Sequence, residues 1–175
     1  MGGRPFDRRR RRSRRSDRWR VVIVLVLLMF IEFYLRPSLF ESHAAPDFLV
    51  LVLLLLAIRE RPGAGALTGF VIGLVIDALT PARFGAGILA HVLVGWGAAW
   101  GRGLFFADNL LVNAALFFVG TWVRDLLVLV FSGTPLHALP AELLVWAPLQ
   151  ALTTAVVGVI VVAVFRDWLA IRIDG

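Results

Sequence analysis

Residues 63–80 read GAGALTGFVIGLVIDALT, an unbroken apolar run that carries Gly65, Gly69 and Gly73 four residues apart and a single acid, Asp77. Eighteen residues with one charge suffice to cross a bilayer core as a helix. Steps of four drift slowly around a helix, so the three glycines share a ridge and Asp77 lies close to it. Small residues on one ridge let two helices approach closely in lipid, where no hydrophobic force drives them together. A carboxylate inside lipid is costly and should face the interior of a bundle. This stretch therefore predicts a membrane-spanning helix with one packing face.

The neighbouring stretches extend the pattern. Helix 4, Gly85 to Gly101, repeats the small-residue spacing with Gly87, His91 and Gly95. Helix 1 is expected from Val21 to Leu35 and ends at Arg36-Pro37. Helix 2 runs from Pro46 to Ile58, where Pro suits a first turn and Asp47 complements the positive end. Its thirteen residues rise only about 20 Å, short of a core near 30 Å, so it borrows length from Ser42 to Ala45 or sits in thinned bilayer. Helix 5 follows from Asn109 to Phe131 and helix 6 from Ala141 to Phe165. Arg61-Pro62-Gly63, Thr80-Pro81, Ser132-Gly133-Thr134-Pro135 and Leu139-Pro140 supply the breaks. The expected fold class is all-α and integral to the membrane: a six-transmembrane-helix bundle over residues 19–172, after a disordered Arg-rich tail over residues 1–18.

Composition agrees. The chain has 175 residues, 59% of them hydrophobic, which is more apolar side chain than a soluble domain of this size can hide. It has no cysteine, hence no disulfide and no thiolate metal site. All 18 basic residues are Arg, and ten lie between Arg4 and Arg20. That run reads as a topology anchor drawn to anionic lipid, and not as a nucleic-acid site, because no nucleic-acid fold accompanies it. With the amino terminus in the cytoplasm, 15 of the 18 arginines fall inside, and an even number of spans keeps Arg166 and Arg172 there too. Both termini are then expected in the cytoplasm. A cleaved leader is disfavoured, because Glu32, Arg36 and Pro37 interrupt the approach to Ser42-His43-Ala44.

The chemistry-bearing residues are few. Glu32, Asp77, Arg124 and Asp125 are intramembrane charges in the outer halves of their helices, with His91 at similar depth. Asn113 and Gly120 share a face of helix 5 with Arg124. Asp77 and Arg124 differ in depth by roughly 6 Å, which a long Arg side chain covers, so an ion pair between them is expected. Asp125 should point about 100° away from Arg124. The cluster reads either as a structural lock on helix register or as a ligand, proton or partner site. Ser132 and His137 share an outer loop but lack a supporting acid or oxyanion arrangement. His43, His91 and His137 make no metal signature, so no cofactor or metal is expected. Asp108 and Asn109 read as a cap for helix 5.

Pro46-Asp47, the apolar run to Arg59, then Gly65, Gly69-Phe70, Gly73 and Asp77, continued by Gly85 and Gly87, resemble the rod shape-determining protein MreD family. The resemblance implies a non-enzymatic scaffold of the cell-elongation machinery in the bacterial inner membrane, supporting rod shape and peptidoglycan synthesis. It implies an MreC-like periplasmic-facing partner, with an MreB-like filament and peptidoglycan synthases. It also implies a fold like the substrate-binding subunits of vitamin transporters. The long Arg tail and the short helix 2 depart from the family. The alternative reading is a substrate-binding membrane subunit of a vitamin or metal transporter, its pocket lined by the polar cluster.

Overall fold

The computed structural model describes residues 22–35, 44–101, 109–135 and 137–165. The Arg-rich stretch, the Arg36-Pro37 break, His43, Asp108 and the chain after Phe165 lie outside the described residues. Among the described residues there are six helices of ten residues or more: α1 (Val22–Tyr34), α2 (Phe48–Ala57), α3 (Pro62–Leu79), α4 (Ala86–Gly101), α5 (Leu110–Phe131) and α6 (Leu139–Phe165). No strand occurs among the described residues. Consecutive helices run antiparallel. The loops before α2, between α3 and α4, and between α5 and α6 therefore gather at one end, here called the Asp47 end.

α2 is the centre of the bundle. Its sequence, FLVLVLLLLA, is apolar on every side, and a helix of that kind must be surrounded. All its residues but Leu56 are buried, and it touches every other helix. This corrects the reading of helix 2 as a thirteen-residue span. Asp47 is its N-cap, accepting from the Val50 N–H at 2.9 Å, so the helix starts at Phe48 and Pro46 lies before the cap. Ten residues rise about 15 Å, half a bilayer core. Neither bilayer thinning nor extra helix is needed, because the irregular backbone at Ala45, Pro46 and Asp47 is itself buried in protein.

α3, α5 and α6, at 18, 22 and 27 residues, are long and apolar enough to cross a membrane, whereas α1, α2 and α4 are shorter apolar helices. The outward faces are hydrophobic, with Leu67, Leu111, Leu144 and Val164 all largely exposed. Exposed aromatics mark the two ends: Tyr34, Phe84 and Phe131 at the Asp47 end, and a stacked Trp96–Trp100 pair toward the other. Among the described residues, one π-helical turn, Ile31–Leu35, closes α1 and another, Glu142–Trp146, lies in α6. α6 begins at Leu139, two residues before the expected Ala141, because Pro in a first turn loses no hydrogen bond. The Trp122 indole N–H donates to the Leu143 carbonyl at 3.2 Å, tying α5 to this wider turn.

Candidate functional site

The glycine ridge of α3 lies directly on the backbone of α4. A Cβ at Gly65 would strike the Gly95 carbonyl, one at Gly69 the His91 carbonyl, and one at Gly73 would fall 2.6 Å from the Ile88 Cα. Each step of four along α3 meets a step of four back along α4, which is the antiparallel form of small-residue packing. The ridge closes on Asp77. Its carboxylate accepts from the Gly85 N–H at 2.7 Å, the Gly87 N–H at 3.0 Å and the Ile88 N–H at 3.0 Å. Those amides are among the orphan donors of α4's first turn, and the helix dipole favours an anion there. Gly87 leaves room for the carboxylate, because a Cβ would collide with Asp77 Oδ1. Gly85 turns the chain with φ +101°, a conformation that L side chains rarely adopt.

This overturns the expected Asp77–Arg124 ion pair. Both Asp77 oxygens are occupied by the start of the next helix, and Arg124 finds two other acids. Its Nη2 pairs with Asp47 Oδ2, and its Nη1 lies 3.0 Å from Asp125 Oδ1. The expectation that Asp125 points away from Arg124 fails as well. The flexible guanidinium folds back beside its neighbour's carboxylate, which the helical angle between their Cβ atoms does not prevent.

Asp47 is a functional-cluster residue that sequence reasoning missed, having placed it only as a helix-end charge. One carboxylate oxygen caps α2 through Val50, and the other pairs with Arg124 of α5. Its own N–H donates to Thr154 Oγ1 of α6 at 3.0 Å. Beside it, the Phe48 N–H donates to Glu32 Oε2 of α1 at 3.0 Å. Thr153, also on α6, donates to the Ala44 carbonyl at 2.7 Å. The amino end of α2 is thus tied to α1, α5 and α6 by side chains far away in sequence. The one available signal was an acid preceding an all-apolar run, whose carboxylate had to be matched inside the bundle.

The remaining candidates separate. His91 is buried on α4, its Nδ1 2.7 Å from the Gly87 carbonyl. Asn113 is buried three turns from Arg124 on α5, and Gly120 receives Leu54 of α2. Ser132 is used to close α5, donating to the Leu129 carbonyl at 3.2 Å and lying 3.0 Å from Thr134 Oγ1. His137 is exposed. Asn109 caps α5, its side chain accepting from the Leu111 N–H at 2.9 Å.

Two cavities adjoin these groups. One, of about 250 Å³, lies between α4 and α5 above Leu54 and is lined by small and aliphatic residues, including Gly97, Ala98, Ala115 and Gly120. The other, of about 120 Å³, lies between α5 and α6 beside Asp125, Glu142, Trp146 and Gln150. The first has no polar side chain to orient a water-soluble ligand. The charged groups are instead engaged in joining helices.

Comparison with known proteins agrees with this arrangement of a membrane bundle. A family profile described as rod shape-determining protein MreD matches residues 13–166, nearly the whole chain. No curated protein and no solved structure matches it.

Proposed function

Because the chain belongs to the rod shape-determining protein MreD family, we propose that it is a non-catalytic scaffold of the bacterial cell-elongation machinery. The observation that carries this reading is the family match along almost the full bundle. The site geometry supports it: Asp77 holds a hairpin closed, and Asp47, Glu32, Arg124 and Thr154 hold a central helix in place. Such groups give a bundle a fixed shape, and a fixed shape is what a docking platform needs.

On this reading the protein sits in the inner membrane with both termini in the cytoplasm and the Asp47 end facing outward. An MreC-like protein is the first partner, with MreB-like filaments and peptidoglycan synthases in the same assembly. Residues 1–18 act as a basic cytoplasmic anchor, and residues 19–172 form the membrane domain. The likeness to vitamin-transporter subunits is kept as one of shape, without the transport activity.

The test is depletion in the native rod-shaped host. Cells should round up as the protein is lost, and the wild-type gene should restore rods. Rods that persist after complete loss, with no paralogue present, would refute the proposal. Reporter fusions at Gly2 and Gly175 should both report cytoplasm, and opposite sides would sink the six-span topology. A stoichiometric vitamin in native mass spectra would favour the transporter reading instead.

A further inference from the structure

We propose that the groove between α4 and α5 is a binding site for one acyl chain of a membrane phospholipid, entering from the leaflet at the end opposite Asp47. The side chains that line it are all hydrocarbon. Leu93, Gly97 and Ala98 of α4 form one wall, Ala115, Val119 and Val123 of α5 the other, and Leu54 of α2 the floor. The mouth opens on the lipid-facing exterior, where Leu93 and Val119 are exposed. The groove is therefore continuous with the surface that already meets the bilayer.

It exists because side chains are withheld. Gly65, Gly69 and Gly73 are small because another backbone lies against them, but Gly97 has no such reason: a Cβ there would meet nothing within 4 Å. At Gly120 a Cβ would fall 2.8 Å from the Leu54 methyls, so glycine lets α2 supply the floor. An empty void forfeits contacts for every atom that lines it. No lining side chain is polar enough to hold water, which leaves hydrocarbon from the bilayer as the filling.

Dimensions choose the occupant. From Ala115 to Val123 the lining runs about 12 Å along α5. Spread over that length, the cavity of about 250 Å³ has a mean section of about 20 Å². That admits a single extended hydrocarbon chain and excludes a helix, whose diameter is about 10–12 Å. Depth excludes a headgroup. Counted from Leu110, the start of α5, the groove lies roughly 8 to 20 Å deep, inside a hydrocarbon core near 30 Å thick. Trp100 marks the entry. Seven residues after Leu93 it shares that face of α4, and it is exposed near the helix end, where tryptophan meets the headgroup level. Walls on three sides hold the chain longer than an open helix face would.

The groove needs a bilayer around the bundle and no scaffold role, so loss of either leaves the other standing. The test reconstitutes the full chain in nanodiscs doped with a phospholipid that carries a diazirine midway along one acyl chain. Irradiation should label Leu54 and Leu116, buried residues of the groove that lipid on the outer faces does not reach, as well as exposed Leu67 and Leu74 of α3. Gly97→Leu with Ala115→Leu fills the groove and should abolish the label at Leu54 and Leu116 while leaving it on α3. In native mass spectra from mild detergent, wild type should retain one phospholipid that this double variant loses. Gly63→Leu, whose Cβ also meets nothing but lies outside the groove, should keep it. If the double variant fails to fold, Ala115→Leu alone, at an exposed position, carries the comparison. No label at Leu54 and Leu116, a label there that ignores the leucines, or equal lipid retention would overturn the proposal. So would a disulfide-linked dimer of Gly97→Cys in this cysteine-free chain, which would put a second copy over the groove.

Discussion

The α3–α4 hairpin and the amino end of α2 solve the same problem, holding helices together in lipid, by opposite means. The hairpin brings backbone against backbone. Its glycines let the two backbones meet, and Asp77 binds a helix start only eight to eleven residues away. The hub at α2 works through long side chains from remote parts of the chain, 77 residues away for Arg124 and 107 for Thr154. Dispersion and close approach hold the first; matched charges and hydrogen bonds hold the second. The two regions should therefore fail differently. Volume should break the hairpin, whereas unbalanced charge should break the hub.

The largest effect is expected at the hub. Arg124→Ala leaves Asp47 and Asp125 without their cation inside the bundle, and removing one partner of a buried pair costs about 3–5 kcal/mol. Asp47→Ala removes both the pair and the cap of α2, so its loss should be comparable. The double variant should lose less than the two together by more than about 1 kcal/mol, since neither charge is then left unmatched. Unfolding in mild detergent measures all three. Additive losses would mean that the pair contributes no coupling and that the hub is held by its hydrogen bonds alone.

Next comes the hairpin. Gly69→Leu forces a branched side chain into the His91 backbone, an overpacking that should cost about 3 kcal/mol or separate the two helices. Gly97→Leu is its control on the same pair of helices. A Cβ there meets nothing within 4 Å, and the change should stay within about 0.5 kcal/mol. Equal losses at the two positions would show that the close backbone contact at Gly69 is not what makes the hairpin sensitive to volume.

These regions also differ in how far they could be read from sequence. The hairpin was legible because its signal is local: a four-residue glycine spacing in one helix, repeated as Gly87, His91 and Gly95 in the next. The buried position of α2 was legible in part, since ten apolar residues without a polar face demand surroundings on all sides. The partners of Arg124 were not legible. Depth along a helix placed Asp77 within reach, but depth says nothing about which groups have already been claimed. Asp77 was claimed by three amides belonging to a turn whose geometry depends on the positive φ of Gly85. Asp47 was overlooked because a residue at a helix start looks like loop until the helix is found at the centre of the bundle.

Asp77 itself tests the separation between the two regions. Asp77→Ala removes a carboxylate that serves as cap for α4, and should cost about 1–2 kcal/mol. Asp77→Asn keeps one acceptor oxygen and should fall between Ala and wild type. Combined with Arg124→Ala, Asp77→Ala should be additive within about 0.5 kcal/mol, because the two side chains share no direct partner. Strong coupling in that cycle would restore the direct pair and dissolve the contrast between hairpin and hub.

The smallest expected effect isolates a single hydrogen bond of the hub. Thr154 Oγ1 accepts from the Asp47 N–H at 3.0 Å and donates to the Gln150 carbonyl one turn back at 2.7 Å. Thr154→Val keeps the branched shape and the packing of a fully buried position while removing the acceptor. The Gln150 carbonyl loses little, since it keeps its place in the ladder of α6. The Asp47 N–H loses the Thr154 acceptor, inside protein, yet the Asp47 carboxylate still pairs with Arg124 and still caps α2. Interhelical hydrogen bonds in membrane proteins average about 0.6 kcal/mol, with a maximum near 1.7 kcal/mol. Thr154→Val should fall in that range. It should also leave the Arg124–Asp47 coupling intact when the cycle is repeated in its background. A loss nearer to that of Arg124→Ala would mean that the N–H bond orients the Asp47 carboxylate, and that the charge pair depends on Thr154 for its geometry.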